Sequence, residues 1–343
     1  MTKNAKRVGL KEDIFMKRKL KVAVLMGGPS AEREISLITG KAVCENLDTK
    51  KYIVSPVEMT GGSRFFAYKQ KRFLDLQNKD RKLFDIIFIA LHGTPGEDGT
   101  VQGMLEALSI SYTGSDTLSS ALAMDKEKTA EIYRVHNLPT PDFIAFGPKE
   151  WKNERAAIVN HVKKYLGFPA VIKPTNQGSA VGTAIVKNEK KLISEVTRII
   201  KQFPRLMIQT FIKGQEATCG ILEKNGEAFA LPPTRIISNA NEFYDYQSKY
   251  APGGSTHVCP ADFPAEVNKK IQTLALKAYL ALGCRGMSRT DIFVADTGKL
   301  WIIETNTIPG MTPTSLLPEA AGKAGISFTK MLDMIIAASF KNN

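Results

Sequence analysis

The sequence predicts an α/β chain in two parts: an open, parallel α/β domain in the first third and an α+β region over the C-terminal two thirds. Three observations predict it. Strand-like and helix-like segments alternate up to about residue 112. Beyond Tyr112-Thr113-Gly114-Ser115 the pattern changes to hairpin-like β segments among separate helices. The length, 343 residues, exceeds what one hydrophobic core organises, so two or three units of about 100 residues are expected.

In order, the first third reads as strands over 21–26, 52–59 and 86–91, with helices from about 30 to 46 and 100 to 108. That succession implies a doubly wound parallel sheet with its ligand edge at the C-terminal ends of the strands. A helix over 124–136 follows, then a break at Pro139 and Pro141, then strands over 170–173, 183–187 and 207–209. The remainder mixes strands over 217–222, 290–295 and 300–304 with helices over 265–282 and 328–339. The divisions expected are a disordered extension over 1–18, an N-terminal domain over 19–118, a central unit over 119–213 and a C-terminal unit over 214–340. No internal repeat suggests a solenoid.

Composition narrows the function. Apolar residues make up 43% and charged residues 24%, the balance of a soluble globular protein. The longest apolar stretch, 86–91, is far short of the roughly 20 residues a membrane span needs, and no signal-peptide core precedes it, so a cytoplasmic protein is expected. Cys44, Cys219, Cys259 and Cys284 are scattered without CxxC spacing, which points to reduced thiols rather than zinc or disulfides. The net charge of +13 is spread along the chain rather than gathered in a basic stripe with aromatics, so nucleic acid is not the expected partner.

Residues 289–306 form the most informative segment. They read as two strands joined by a tight turn containing Gly298. With Thr297 and Gly298 as a two-residue loop, Asp291 falls opposite Glu304 and Arg289 opposite Asn306, all four on one face. Facing carboxylates repel, and a divalent cation is the economical reason to keep them. Two acids and an amide oxygen, without His or Cys, form a hard-oxygen set suited to Mg²⁺ shared with phosphate oxygens. The competing reading is a pair of acids at solvated strand ends, and a one-residue slip would destroy the arrangement.

Walker A and GxGxxG fingerprints are absent. Instead, Lys173-Pro174 ends one strand and Asn176-Gln177-Gly178-Ser179-Ala180-Val181-Gly182 leads to the next. Such a loop can lay backbone N–H groups and the Ser179 hydroxyl over phosphates, with Lys173 as a point charge; an ordinary glycine-rich hairpin is the alternative. Lys126 stands at a helix start and reads alone as a surface lysine. Lys249 belongs to an aromatic-rich loop, Tyr244 to Tyr250, of the length used for lids.

Taken together, these residues resemble the D-alanine:D-alanine ligase family of the ATP-grasp superfamily. The resemblance runs from Val22 to about Phe340 and is carried by seven motifs in the family's order. They are the stretches 25–36, 91–99, 112–115 and 124–126, Lys173-Pro174 with Gly178-Ser179, Tyr244-Asp245-Tyr246 with Lys249-Tyr250, and 304–312. It implies an N-terminal open α/β domain followed by a two-subdomain ATP-grasp fold, and ligation of two D-alanines with ATP for peptidoglycan precursors. Lys126 and Lys173 would hold ATP phosphates, Lys249 would reach the γ-phosphate, Gln209, Thr210, Phe211 and Ile212 would meet adenine, and Glu216 the ribose. Asp291, Glu304 and Asn306 would bind two Mg²⁺, or Mn²⁺ in their place.

Glu32 would hold the ammonium of the first D-alanine, although an acid in the first turn of a helix capped by Ser30 is favourable regardless of substrate. His92 resembles a residue near that substrate, and Ser315 and Leu316 would contact the second D-alanine's carboxylate. The resemblance further implies transfer of the γ-phosphoryl to the first D-alanine, with Ser179 in the covering loop. Attack by the second amine would follow, the oxyanion held by Arg289 and the Gly310 N–H. Tyr250 would close the site, and tyrosine there goes with dipeptide rather than depsipeptide products. Gln209, Thr210 and Ala180 depart from the commoner pattern without touching the metal set. Relatives are homodimers. The alternatives are a D-alanine:D-serine or D-alanine:D-lactate ligase, another ATP-grasp carboxylate-amine ligase, or a nucleotide-binding pseudo-enzyme, against which the intact polar set speaks.

Overall fold

A computed structural model describes residues 18–61, 64–178, 180–238, 254–312 and 314–340. The extension expected over 1–18 lies almost wholly outside the described residues.

The first sheet is built on β1 (Leu20–Gly27), which pairs in parallel with β2 (Tyr52–Thr60) on one side and β5 (Ile86–Ile89) on the other. Both β1 and β5 are near-continuous apolar runs, as strands covered on both faces require. The purely parallel sheet expected is corrected at one edge. β3 (Arg64–Ala67) and β4 (Arg72–Phe73) add antiparallel strands beside β2. Thr60 and Arg64 are too close in sequence for a crossover, so the chain can only turn back. Helix α1 (Arg33–Asn46) packs on β1 and β2, and α2 (Thr100–Ala107) follows β5.

The helix expected over 124–136 is two helices, α3 (Thr117–Met124) and α4 (Lys126–Val135). Asp125 separates them with extended backbone, and its carboxylate accepts the N–H groups of Glu127 and Lys128 at 3.0 and 3.1 Å. The chemistry is that of a helix N-cap inside an otherwise helical pattern.

A second sheet orders β6 (Phe143–Phe146), β9 (Leu206–Thr210), β7 (Ala170–Pro174) and β8 (Ala184–Val186), all antiparallel. Helices α5 (Pro148–His161) and α6 (Glu189–Ile199) cover it, with Trp151, Leu192 and Val196 in the core.

The third sheet runs β13 (Ser255–Val258), β12 (Thr234–Ser238), β10 (Gly214–Lys224), β14 (Met287–Ala295), β15 (Leu300–Asn306), with β11 (Glu227–Ala230) also on β10. Side-chain alternation divides β10 cleanly. Ala217, Cys219 and Ile221 pack towards α7 (Ala265–Ala281), while Glu216 lines a cleft. Helices α8 (Leu316–Lys323) and α9 (Phe328–Ala338) place Leu317, Met331, Leu332 and Ile335 in the same core as β1 and β5. The four cysteines form no disulfide; Cys219 and Cys284 are buried, and burial pushes the Cys284 thiol up to about 12. Among the described residues no helix is long and apolar enough to cross a membrane.

Candidate active site

The acidic hairpin holds the centre. Asp291 pairs with Glu304 and Arg289 with Asn306, as expected, but the turn does not have the expected length. Ala295, not Asp296, pairs across to Lys299, through Ala295 N–H to Lys299 O at 2.9 Å, so three residues form the loop. Gly298 sits there at φ +80°, a conformation that favours glycine. The extra loop residue shifts the near register by one. A bulge then restores it: Ile292 pairs with Ile302, Asp291 with Glu304, and Ile303 is the residue without a partner.

Asp291, 5% exposed, accepts from Thr218 Oγ1 at 2.7 Å and from Arg289 Nε and Nη2, both at 2.9 Å. Asn306 Nδ2 stands 3.4 Å from its second oxygen. Glu304 faces Lys126, whose Nζ lies 3.1 Å from Oε2. Each acid of the pair therefore has a cation on its flank, and their repulsion is partly neutralised by the chain itself. Among the described residues no three His, Cys, Asp or Glu side chains gather in one place. A metal here would depend on two carboxylates, the Asn306 amide and oxygens from outside the protein, the donor set of Mg²⁺ bound with phosphate.

Two lysines floor the same cleft. The Lys126 N–H donates to Thr175 O at 2.7 Å, fastening the start of α4 to the chain just after β7, and its Nζ donates to Gln177 O at 2.7 Å. Lys173 is 7% exposed on β7; burial first, then the nearby Lys126 charge, lower its ammonium to about 8, while Glu304 opposes the shift. The cleft, about 750 Å³ and open to solvent, is lined by both lysines, Asp291, Glu304, Glu216 and the run Gln209, Thr210, Phe211 and Ile212. Residues assigned separately to phosphate, ribose, adenine and metal thus share one wall-to-wall space. The side chain of Gln209 is turned to the Pro141 carbonyl at 3.4 Å, so what it offers the cleft is mostly backbone.

A smaller hollow of about 360 Å³ adjoins it through Lys126 and Glu304, and adds Glu97, Gly178 and Asn306. Glu32 borders this end, since a Cβ built on Gly178, which lines the hollow, would stand 3.8 Å from its Oε2. The expected helix start is corrected here. Glu32 is the N-cap residue of α1, not part of its first turn, and Ser30 does not cap the helix. Ser30 Oγ instead accepts the Glu32 N–H at 3.1 Å and donates to the His92 carbonyl at 2.6 Å, tying α1 to the end of the β5 segment. His92 is 6% exposed with both ring nitrogens engaged, Nε2 with Thr39 Oγ1 at 2.9 Å and Nδ1 with Glu97 Oε1 at 3.4 Å.

At the far side, Ser315 Oγ accepts the Thr312 N–H at 2.9 Å and leaves the start of α8 without a side-chain cap. Gly310 lies against it, because an added Cβ would come within 2.8 Å of Ser315 Oγ. Leu316 is buried against Ile236. Ser179, Lys249 and Tyr250 lie outside the described residues. Sequence reasoning gave no role to Thr218 or Glu97. Glu97 stands inside a motif already singled out, whereas Thr218 is visible only once β10 is known to pair with β14.

The family model described as D-ala D-ala ligase C-terminus matches residues 132–337, and that described as D-ala D-ala ligase N-terminus matches 21–83 and 67–115. A D-alanine–D-alanine ligase of Pelotomaculum thermopropionicum is 41% identical over 94% of this chain and 98% of its own. Among solved structures, the D-alanine–D-alanine ligase of Bacillus anthracis complexed with ATP is 35% identical, with a TM-score of 0.75 over 94% of this chain and 98% of that one. The VanG D-Ala:D-Ser ligase of Enterococcus faecalis is 31% identical, with a TM-score of 0.83 over 94% of this chain and all of its own (100%).

Proposed function

This chain belongs to the D-alanine–D-alanine ligase family, and on that premise we propose how its residues divide the work of joining two D-alanines with ATP. The fold is ATP-grasp and the activity an ATP-dependent ligation to D-alanyl-D-alanine, a peptidoglycan precursor. The observation that carries the residue assignment is the in-register pair Asp291 and Glu304, facing each other in a cleft floored by Lys126 and Lys173.

In this reading the adenine lies along Gln209 to Ile212 with the ribose on Glu216. Lys126 and Lys173 hold the phosphates, with Lys249 reaching the last of them and Ser179 in the covering loop. Asp291, Glu304 and Asn306 would hold Mg²⁺, two ions or Mn²⁺ in their place, which when bound supplies positive charge to the transferring phosphoryl group. Glu32 takes the ammonium of the first D-alanine, and His92, held by Thr39 and Glu97, shapes the wall beside it. The carboxylate of that amino acid becomes an acyl phosphate.

The second amine then attacks the acyl carbon and phosphate leaves. Arg289, its plane fixed by two bonds to Asp291, and the Gly310 N–H stabilise the oxyanion. The α8 start, where Ser315 and Leu316 stand, receives the second carboxylate, since a helix N-terminus without a side-chain cap favours an anion. Tyr250 covers the site and keeps water from the acyl phosphate. We place the enzyme in the cytoplasm as a homodimer, as the resemblance implies. The test is ADP release with D-alanine against L-alanine, D-serine and D-lactate in the second position. Release with D-alanine and formation of the dipeptide are expected, and preferential use of D-serine or D-lactate would overturn the assignment of the second site.

A further inference from the structure

We propose that His257 and Glu319 are positioning residues which set the affinity for the second amino acid, by fixing the start of α8 against the β12–β13 edge. The inference rests on the reading of Ser315 and Leu316 as second-substrate residues. His257 lies on β13, directly across the ladder from Ile236 on β12. Leu316, the first residue of α8, is buried against Ile236. Three residues on, on the same helix face, Glu319 places Oε2 3.1 Å from His257 Nδ1. One cross-strand pair thus holds α8 at two points, an apolar one and a polar one.

The two contacts do different work. Leu316 on Ile236 supplies burial, which is non-directional. The His257–Glu319 contact is directional and partly shielded, with side chains 20% and 29% exposed, and the other ring nitrogen lies 3.3 Å from Ser255 Oγ. It therefore fixes how the helix start is rotated and not merely that it is covered. Rotation matters because the start of α8 has no side-chain cap, so a carboxylate at this end would meet backbone N–H groups whose directions follow the helix. Neither His257 nor Glu319 lines the nucleotide cleft or the hollow beside it, so both act through α8 rather than on substrate.

The experiment measures ADP release by the full chain, fitting separate half-saturation constants for ATP and for the first and second D-alanine, together with melting temperatures. His257→Phe and Glu319→Ala are each expected to raise the second D-alanine constant about tenfold, the size of one hydrogen bond to a charged group, with the other two constants within about twofold. The double variant should be no worse than either single one, because both remove the same contact. His257→Gln, which can still donate to Glu319, should recover most of the loss. An equal rise in all three constants, additive losses, or a lower melting temperature with an unmoved second constant would overturn the proposal. Should His257→Phe not fold, Glu319→Ala carries the same test. A parent chain inactive on D-alanine overturns the ligase reading and this inference with it, whereas an active parent with flat constants overturns this inference alone.

Discussion

Lys173 is charged below about pH 8 and neutral above it, where an ordinary lysine stays charged to about 10.5. ATP phosphates favour the charged form, so affinity for ATP should fall as pH rises through 8, and ATP binding above that value should take up a proton. Titration calorimetry in buffers of different ionisation heat would detect the uptake, and its absence in Lys173→Met would assign it. The same shift acts on stability with the opposite trend. The folded pKa lies below the unfolded one, so between about 8 and 10.5 the unfolded chain binds more protons and this group favours folding more as pH rises. Arg289→Ala should lower turnover by roughly 10²–10³-fold with a much smaller change in ATP affinity, because an oxyanion donor acts mainly in the transition state. Equal losses in both would move Arg289 to the nucleotide. At this scale the sequence revealed the residue types and not their partners. Lys126 alone reads as a solvated surface lysine, and it is the Gln177 and Glu304 contacts of its ammonium that turn it inward.

The hairpin and the α4 start decide where these residues stand. The facing of Asp291 and Glu304 was legible in the sequence from the alternation of the two strands, yet the route to it was not. The loop is one residue longer than expected, and the bulge at Ile303 restores the register near the site. Bulges have no strong sequence signature, so the expectation reached the correct pair through two departures that cancel. Gly298→Val should lower stability by about 1 kcal/mol through its left-handed backbone while leaving the half-saturation constants unchanged, read by thermal melting and ADP release. Asp125 was hidden for a related reason: a cap inside a helical pattern looks like continuation. Asp125→Ala should cost about 1 kcal/mol of stability and raise the ATP half-saturation, since Lys126 is the first residue it sets in place.

Over the whole molecule the alternation of strands and helices identified the leading α/β unit, but not what completes it. β1 and β5 share their core with Met331, Leu332, Ile335 and Ile336 of α9, and Asp333 on that helix accepts from Lys51 Nζ at 2.5 Å, just before β2. Contacts between residues about 280 positions apart leave no mark on local sequence patterns. A fragment covering residues 18–118 should therefore lack the cooperative thermal transition of the full chain in circular dichroism, and a sharp transition in that fragment would show its core to be self-sufficient.

The facing carboxylates bind all three scales together, and their replacement is the most direct measurement. With ATP, Mg²⁺ and D-alanine saturating, Asp291→Asn should release ADP at least about 10³-fold more slowly than the parent, at a lower melting temperature because Arg289 loses its buried charged partner. A rate within about twofold of the parent would contradict the account, because the opposed acids would then have no part in moving the phosphoryl group.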